Sequence, residues 1–478
     1  MAPLQADLLS LPSEGGGFDA VEFVGPELAA YGRAEPSALT DRLSAELGAC
    51  LIRSGARIDP REYAKTVLRL LHARMVELSS SSVEFPMGVF AIWKVMELLQ
   101  RFIVDGRPAN CFFNVPFFEH TSGEDLARMI VEAGRLLLVA KSDLRDFLHT
   151  IWAHPALREY LGLKGLEADK LRALGYEVPA EAVDSHGRTY PRCTTVPMGW
   201  GPAPGLAQGA HEAILYGRKG EGSERAQALE PVLDPAARWS GMRTPAEGSA
   251  AAAAPHTIVV DDVLLFKQVE RATYIPDGVA SLAEPAESGD VGSAEARAAD
   301  QAVGGGPDVA RRRRPHHLAE ARAKVEAGLG ATAAARLEAR SAELGRLLDR
   351  YDEVGCRYHE DKVHDYAPLQ DLLGYTLDHN VLRSSLKRYR DLAERLASLR
   401  RRGWARPREV EQIIGKFTNA FLLERSALSV FSSVYAFARR LGDRCARVWK
   451  SVLRELQMAL DLPAGGSPSV SDRLQWKR

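Results

Sequence analysis

Residues 258–266 read Ile-Val-Val-Asp-Asp-Val-Leu-Leu-Phe, two apolar runs separated by Asp261 and Asp262. Apolar runs of this length around a tight polar turn predict a β-hairpin, and here the turn carries two carboxylates. Another apolar run, 136–140, leads directly into Lys141-Ser142-Asp143 and predicts a strand that ends near an acidic residue. If the strand and the hairpin pair, Asp143 lies beside Asp261 and Asp262 at one edge of a sheet.

Carboxylates gathered in this way suit a particular chemistry. Magnesium prefers oxygen ligands, usually one or two carboxylates together with phosphate oxygens and water. Two such ions about 3.5 to 4 Å apart stabilise the attacking and leaving oxygens of an in-line displacement at phosphorus. The pattern therefore predicts a nucleotidyl-transfer site with Asp143, Asp261 and Asp262 as metal ligands, although each aspartate alone is also typical of a solvated turn.

The rest of the chain shows both helical and strand periodicity. Apolar residues at helical spacing predict a helix over 63–78, whereas 89–93 and 102–104 predict two strands with a turn at 105–108. From residue 382 onward the pattern is almost entirely helical, with breaks at 403–407 and 462–466. These patterns predict a mixed α+β protein whose C-terminal part is helical.

Three stretches resemble the catalytic motifs of one enzyme family, and they occur in that family's order. Residues 141–147 (Lys-Ser-Asp-Leu-Arg-Asp-Phe) resemble the first motif of reverse transcriptases. Val196-Pro197-Met198-Gly199-Trp200, continuing to Gln208, resembles the second motif, and residues 258–262 resemble the third. The resemblance is closest to retrotransposon enzymes of the tyrosine-recombinase type.

Flanking segments extend the resemblance over about residues 87–450. Residues 90–94 and 101–110 resemble the fingers hairpin of the family, in which Lys94 and Arg101 would grip the incoming triphosphate. Gly355 with Lys362 resembles the fourth motif, residues 372–375 resemble the start of the primer grip, and residues 413–417 resemble the thumb.

The resemblance implies a right-hand polymerase with fingers, an antiparallel-sheet palm and a helical thumb and connection. The implied division, in chain order, is an irregular N-terminal arm (1–60), fingers (61–135), a palm (136–270) with a low-complexity insert (220–255), a disordered insert (271–317), a palm helix with the primer-grip region (318–378), and a helical thumb and connection (379–478).

The resemblance also implies roles for individual residues. Asp143, Asp261 and Asp262 would hold two Mg²⁺ ions, with Mn²⁺ as a possible substitute, and Lys362 would donate a proton to the departing pyrophosphate. The residues expected to bind substrate are Lys94, Arg101, Arg107, Phe147, Gly199 and Gln208. Gly199 would let the backbone approach the template or nucleotide closely, because it lacks a Cβ atom. The expected partners are a primed RNA or DNA template and deoxynucleoside triphosphates.

The motifs depart from the family at several positions. Val259 replaces the usual aromatic residue, Met198 replaces glutamine and Ala203 replaces serine. Phe147 lies four residues after Asp143, whereas the family's sugar-discriminating aromatic residue commonly lies five after it, where this chain has Leu148. The three substitutions each remove a polar or aromatic contact but no metal ligand, whereas the smaller residue five positions after Asp143 places sugar selectivity in doubt.

Composition limits the other possibilities. The formal net charge is −1, yet residues 381–450 contain 17 Lys and Arg against 6 Asp and Glu, an excess of 11 positive charges that would suit a phosphate backbone. The five cysteines form no CxxC pair, which favours a reducing compartment, cytoplasmic or nuclear. No apolar run has the length of a membrane span, and nothing in the sequence indicates an oligomeric state.

Two functions follow from these observations. The first is an RNA-directed DNA polymerase that adds deoxynucleotides to a primer by two-metal-ion catalysis. The alternative is a retroelement-derived protein that keeps the fold and binds nucleic acid but has lost catalysis. The retained aspartates favour the enzyme, whereas the altered second and third motifs favour the binding protein. A helical scaffold of other ancestry would not explain the ordered strand motifs.

Overall fold

The structure is a computed structural model of the 478-residue chain. It describes residues 3–52, 58–94, 98–129, 131–217, 229–239, 255–272, 340–423, 425–440 and 444–462. Within these ranges the chain contains both helices and antiparallel sheets, which confirms the predicted α+β class. Among the described helices, none has the length and apolar character needed to cross a membrane.

The strands are numbered in chain order: β1 (Leu9–Ser10), β2 (Val76–Ser79), β3 (Gly88–Trp93), β4 (Gln100–Asp105), β5 (Arg135–Asp143), β6 (Leu166–Glu167), β7 (Arg188–Cys193), β8 (His256–Val259), β9 (Asp262–Glu270), β10 (His364–Ala367), β11 (Leu369–Leu372), β12 (Tyr375–Asp378), β13 (Val381–Ser384), β14 (Trp404–Ala405) and β15 (Ala446–Arg447).

The α-helices are numbered in the same way: α1 (Pro26–Gly32), α2 (Arg42–Cys50), α3 (Pro60–His72), α4 (Arg107–Asn110), α5 (Gly123–Ala127), α6 (Phe147–Thr150), α7 (Pro155–Arg158), α8 (Ala168–Arg172), α9 (Ala203–Tyr216), α10 (Ala342–Val354), α11 (Leu386–Arg402), α12 (Pro407–Ala420), α13 (Ser432–Arg440) and α14 (Lys450–Asp461).

The central sheet has the strand order β10-β5-β9-β8 and is antiparallel throughout its described strands. Strand β5 pairs with β9 over nine residues, from Arg135 opposite Glu270 to Asp143 opposite Asp262. Strands β8 and β9 form the predicted hairpin, and its two-residue turn consists of Val260 and Asp261. The predicted strands are thus confirmed, but the turn lies one residue earlier than predicted, so Asp262 is part of β9 and only Asp261 lies in the turn.

The two faces of the central sheet pack against different elements. One face joins α9 and α10 in the main core through Ala140, Val263 and Leu265. The other face packs against the three-stranded sheet β11-β12-β13 through Leu137, Val139, Leu264 and Phe266. Because side chains alternate along a strand, Lys141 and Asp143 lie on this second face.

The N-terminal region is more ordered than its glycine- and proline-interrupted sequence indicates. Instead of an irregular arm over 1–60, the described part contains α1 and α2 and buries residues such as Phe18 and Phe23 in the main core. Strand β1 pairs in parallel with β4, which itself forms an antiparallel hairpin with β3. The pairing gives β1 long-range partners that local sequence patterns do not show.

The predicted helix over 63–78 is wrong at its C-terminal end. Helix α3 ends at His72, Arg74 adopts a left-handed φ of 53°, and β2 follows and pairs with β7. The apolar residues Met75 and Leu78 continue the helical spacing of 63–78, but short apolar runs fit a strand equally well.

The predicted insert 220–255 includes a segment that packs against the protein. Within the described range 229–239, Leu229 and Leu233 join the main core and Trp239 packs against the other face of the central sheet. The predicted insert 271–317 lies outside the described residues except for 271 and 272. The region 318–378, predicted to begin with a helix, is described from residue 340 onward, where α10 begins at Ala342.

The C-terminal helices form a unit with a hydrophobic core of its own. Helices α11 to α14 pack around buried residues that include Leu396, Phe417, Val434 and Leu456. The predicted break is observed, because α11 ends at Arg402 and the next helix begins at Pro407. The exceptions to the predicted helical pattern are β13 at 381–384, which forms the third strand of the β11-β12-β13 sheet, and the short antiparallel pair of β14 and β15.

Candidate active site

The three aspartates lie together at one end of β5. Asp143 is the last residue of β5 and stands directly opposite Asp262, the first residue of β9. Directly opposed residues of an antiparallel pair share one face, with Cβ atoms about 4.5 to 5.5 Å apart. Asp261 lies in the adjoining turn, and its carbonyl oxygen accepts a hydrogen bond from the backbone N–H of Leu144 at 2.8 Å.

Burial and mutual repulsion dominate the electrostatics of these carboxylates. Burial, followed by the charge of Asp143, raises the pKa of Asp261. Burial, followed by the charges of Asp261 and Asp143, raises the pKa of Asp262 to about 7. Desolvation and like charges both disfavour the ionised form, so the cluster is a site where added positive charge would be stabilising.

Two lysines reach this cluster from different elements. Lys362 lies in a 3-10 helix, Glu360–Lys362, immediately before β10, and its Nζ donates to Asp143 Oδ1 at 3.0 Å. Lys141 lies on β5 two residues before Asp143, and its Nζ donates to the carbonyl oxygen of Asp371 on β11 at 2.8 Å. Burial lowers the pKa of Lys141, an effect opposed by Asp371, Asp262 and Asp143.

His359 adds a further polar contact to Asp143. Its Nε2 lies 3.7 Å from Asp143 Oδ1, and its backbone N–H donates to the carbonyl oxygen of Asp143 at 2.9 Å. Burial, followed by the charge of Lys362, lowers the pKa of His359, so the imidazole is neutral near pH 7. The backbone contact ties the segment that carries Lys362 to the end of β5.

The turn between β8 and β9 has an unusual conformation. Val260 adopts a φ of 55° at the first central position, where type II′ hairpin turns normally require glycine. For a β-branched residue such a φ costs on the order of 1 to 3 kcal/mol unless the surroundings hold it. Two side chains of α9 do hold it: Gln208 Oε1 accepts from Val260 N at 2.6 Å, and His211 Nδ1 contacts the Val260 carbonyl oxygen at 2.8 Å.

Gln208 therefore has a different position from the one expected of a substrate-binding residue. Its side chain is 2% exposed, and its Nε2 donates to the carbonyl oxygen of Ile258 at 2.9 Å. The amide is thus bonded to the backbone of Ile258 and Val260, and its Nε2 also donates to Glu212 Oε1 at 2.7 Å. In this structure Gln208 supports the hairpin that carries the aspartates.

Gly199 and Phe147 also differ from expectation. Gly199 has a φ of 123°, and a Cβ atom there would lie 2.0 Å from the carbonyl oxygen of Val104, so its lack of a side chain admits β4 rather than a nucleotide. Phe147 is 3% exposed, and its ring centroid lies 6.0 Å from that of Phe18 and 5.4 Å from that of His211. A contact between Phe147 and a sugar would require the ring to leave the core.

The predicted phosphate-binding cations are distributed over one hairpin. Lys94 follows β3, and its Nζ donates to Ser10 Oγ at 2.9 Å. Arg101 pairs with Ser10 in the β1–β4 ladder and is exposed, and its positive charge opposes the rise in the pKa of Asp261. Lys94 and Arg101 are therefore both linked to Ser10, Lys94 through its side chain and Arg101 through the strand pairing.

Arg107 has a local partner. Its guanidinium forms a bidentate ion pair with Asp105, with both N···O distances at 2.7 Å, and this pair lowers the pKa of Asp105. A bidentate pair satisfies the donors that a phosphate would otherwise take. Arg107, which was also expected to bind substrate, is therefore engaged by Asp105 in this structure.

The cations at the start of α11, in the basic C-terminal unit, are of two kinds: some are exposed to solvent and one packs against another part of the protein. Lys387 and Arg390 on α11 are exposed. Arg388 is partly buried, and its guanidinium carbon lies 5.3 Å from the ring centroid of Tyr375, close to Gly374. Because Tyr375 also donates to the carbonyl oxygen of Asn419 on α12 at 2.7 Å, Arg388 belongs to the junction between this unit and the β11–β12 turn.

The chemistry of the donor set fits magnesium, because the cluster offers carboxylate oxygens whose raised pKa values a divalent cation would relieve. Within the described part of the chain, however, no group of three or more His, Cys, Asp or Glu side chains already converges on a metal position. The carboxylate of Asp143 is instead engaged by Lys362.

Sequence reasoning missed four residues of the site: Lys141, His211, Tyr351 and His359. Lys141 could have been found, because it precedes Asp143 by two residues and so shares its face of the strand. His211 could also have been found, because it lies three residues after Gln208 and shares a face of α9. Tyr351 carries no comparable signal, because it comes from a helix 140 residues away from His211.

No protein-family model matches the chain, and no curated protein matches its sequence. Solved structures of a foamy viral protease-reverse transcriptase are similar. The complex with double-stranded DNA is 10% identical with a TM-score of 0.44, and the match covers 85% of this chain and 49% of that one. The complex with an RNA/DNA hybrid is 11% identical with a TM-score of 0.45, and the match covers 86% of this chain and 38% of that one. This chain therefore spans about half or less of the length of these two structures.

Proposed function

We propose that this chain is the RNA-directed DNA polymerase domain of a retrotransposon, which adds deoxynucleotides to the primer of a primed RNA or DNA template. The single observation that carries the proposal is the β5–β9 register, which sets Asp143 against Asp262 beside Asp261. In this proposal the central sheet is the palm, the β3–β4 hairpin belongs to the fingers, and α11 to α14 form the thumb.

Asp143, Asp261 and Asp262 would hold two Mg²⁺ ions, which supply charge stabilisation for the attacking and leaving oxygens. Lys362 lies where its ammonium could leave Asp143 once a cation takes over that carboxylate, and it would then protonate the departing pyrophosphate. Lys94 and Arg101 would bind the triphosphate of the incoming nucleotide as charge-assisted donors.

A second candidate is a nucleic-acid-binding protein without polymerase activity. The observation that favours it is the ion pair between Lys362 and Asp143, which neutralises one predicted ligand internally. The residue substitutions in the second and third motifs support the same reading. Both candidates require nucleic acid as a partner, and they differ only in whether the protein catalyses nucleotide addition.

Primer extension separates the two candidates. The full chain is incubated with a primed RNA template, a primed DNA template, deoxynucleoside triphosphates and Mg²⁺ or Mn²⁺. Extension that is lost in Asp143→Asn supports the polymerase. Binding of the primed template without extension, under conditions where Asp143→Asn binds equally well, supports the binding protein.

The thumb assignment has a separate test in the salt dependence of binding. Each neutralised phosphate contributes a slope of about −0.9 in log K against log[salt] on duplex DNA, used here as a guide for the primed template. The double variant Lys387→Ala/Arg390→Ala should flatten the slope by roughly one unit for each lost contact. An unchanged slope in a folded variant would show that α11 is only a solvated surface. Arg388 is left intact because it packs on Tyr375.

A further inference from the structure

A buried polar chain connects the turn of the candidate site to two helices. His211 on α9 contacts the carbonyl oxygen of Val260 through Nδ1 at 2.8 Å and the hydroxyl of Tyr351 on α10 through Nε2 at 2.7 Å. Both side chains are fully buried, at 0% exposure. We propose that His211 and Tyr351 are positioning residues that hold the Val260–Asp261 turn and so orient Asp261 and Asp262 for nucleotide addition. This inference rests on the proposed function.

The first step of the argument is that the turn does not hold its own conformation. Val260 has the φ of a glycine position, and both of its backbone polar groups are bonded to side chains of α9. Gln208 takes the N–H and His211 takes the carbonyl oxygen. Removal of either partner would leave a partly buried backbone group of Val260 without its hydrogen bond, next to the aspartates.

The second step assigns the tautomer of His211. A carbonyl oxygen only accepts hydrogen bonds, so the proton of the imidazole lies on Nδ1. Nε2 is then an acceptor and receives the Tyr351 hydroxyl proton. Burial lowers the pKa of His211 to about 4 and raises that of Tyr351, so both groups are neutral. The donor and the acceptor of each of the two hydrogen bonds are therefore fixed.

The third step links this chain to the segment that carries Lys362. The carbonyl oxygen of Tyr351 accepts from the N–H of Cys356 at 2.8 Å, and Arg357 O accepts from Arg145 N at 2.7 Å. Tyr358 pairs with Leu144 in an isolated bridge. Helix α10 therefore has two roles. Its Tyr351 contacts His211, which holds the acidic turn, and its C-terminal end leads into the segment that carries Lys362 to Asp143.

The competing reading is that His211 and Tyr351 are only a satisfied polar pair of the core. Under that reading their loss lowers the fraction of folded protein but not the rate of each folded molecule. Under the proposal the carboxylates lose their alignment, and a misplacement of about 1 Å is enough to lower a rate by roughly 10²-fold.

Three variants and one control distinguish these readings. His211→Phe keeps the ring and removes both hydrogen bonds, whereas His211→Asn restores a donor at the position of Nδ1. Tyr351→Phe removes only the hydroxyl that orients the imidazole. His186→Phe changes an exposed histidine in a distant turn and serves as the matched control.

We expect His211→Phe to lower kcat by about 10²-fold, with KM for nucleotide and affinity for primed template within about twofold of wild type. His211→Asn should recover about half of the loss on a logarithmic scale, and Tyr351→Phe should lower kcat by about three- to tenfold. A kcat per folded molecule that equals wild type in His211→Phe would overturn the inference.

Two readouts do not depend on polymerase activity. Nitrogen-15 NMR at pH 7 should show His211, identified by its absence in His211→Asn, as the neutral Nδ1–H tautomer. Mn²⁺ titration followed by electron paramagnetic resonance should show weaker binding in His211→Phe than in His186→Phe. If wild type does not extend primers, the proposed function fails, and equal Mn²⁺ affinities of these two variants would then overturn the positioning role as well. An Nε2–H tautomer would overturn it on its own.

Discussion

The two ends of β5 are bordered by two-residue turns that reach their shapes in different ways. At the acidic end, the turn of Val260 and Asp261 contacts Leu144 just after the strand. At the other end, the turn of His379 and Asn380 between β12 and β13 contacts the start of the strand. Both turns use left-handed backbone conformations, but only the second contains a residue that favours one.

The turn of His379 and Asn380 is largely determined by its own residues. Both have positive φ values, as a type I′ turn requires, and asparagine tolerates this region. The Asn380 side chain then bonds outward, accepting from Leu137 N and donating to Arg135 O, both at 2.8 Å. The side chain of the turn stabilises the strand.

The acidic turn shows the reverse relation. Val260 disfavours its own φ, and side chains from α9 stabilise the turn. The comparison indicates that local stability was given up where three carboxylates had to be placed together. Such conflicts between local preference and observed structure are expected at functional sites.

The largest effect should follow from removing charge at the acidic turn. Asp261→Asn should lower the rate of nucleotide addition by roughly 10³-fold, because metal-ion stabilisation of the transition state supplies several kcal/mol. Affinity for primed template should remain close to that of wild type. His379→Asn is the matched change at the other turn and should leave the rate unaffected. Equal rates in Asp261→Asn and wild type would show that the acidic turn has no role in nucleotide addition.

The second prediction separates the supports of the two turns. Asn380→Ala leaves Leu137 N and Arg135 O without their side-chain partner and should lower the free energy of unfolding by about 1 to 3 kcal/mol. The rate of each folded molecule should not change. Gln208→Met, which removes the support of the acidic turn, should lower both stability and rate. Urea unfolding and primer extension on the same preparations test this, and a rate loss in Asn380→Ala as large as in Gln208→Met would contradict it.

The third prediction uses the pH dependence of stability. The pKa of Asp262 is raised in the folded protein from 3.8 to about 7, so the folded state binds more protons than the unfolded state between these values. Stability must therefore fall as pH rises through this window. In EDTA, Asp262→Asn should gain at least about 1 kcal/mol relative to wild type between pH 5 and pH 8, since one pKa unit is worth about 1.36 kcal/mol.

Added Mg²⁺ should reduce this difference, because a bound cation favours the ionised form of the carboxylate. Urea midpoints at pH 5, 6, 7 and 8 give the measurement. Parallel curves for the two proteins in EDTA would show that Asp262 is not destabilised by burial and by its neighbours.

The smallest effect is expected for Val260→Gly. Glycine accepts the positive φ without strain, but it loses more conformational freedom on folding, so the net change in stability should stay within about 1 kcal/mol. The rate should fall a few-fold as the turn loosens. Thermal unfolding combined with primer extension tests both parts. A rate above that of wild type would indicate that the strained valine impedes the reaction.

Much of the central sheet could be predicted from local patterns. The apolar runs around Asp261-Asp262 and the run before Asp143 are long enough to define strands, and the hairpin accounts for the pairing of β8 with β9, whereas the pairing of β5 with β9 remained an assumption. Lys362 could be associated with the site through its motif, and the structure brings its Nζ within 3.0 Å of Asp143. These signals are local or depend on a short, ordered set of motifs.

The parts that could not be predicted depend on distant partners. Gln208 and Gly199 are in motif positions that imply substrate contact, yet their surroundings are Val260 and Val104, which lie far away in sequence. The pairing of β1 with β4 likewise joins segments about 90 residues apart. Sequence periodicity records which face of an element is buried, but not which element buries it.

The most direct test of the central claim is a crystal structure with Mn²⁺, a primed template and a non-hydrolysable deoxynucleotide analogue, with manganese located by anomalous scattering. We predict two anomalous peaks about 3.5 to 4 Å apart, bound by Asp143, Asp261 and Asp262, with Lys362 released from Asp143 toward the phosphates. A structure in which template is bound, no anomalous peak lies at the three aspartates, and Lys362 still contacts Asp143 would contradict the account.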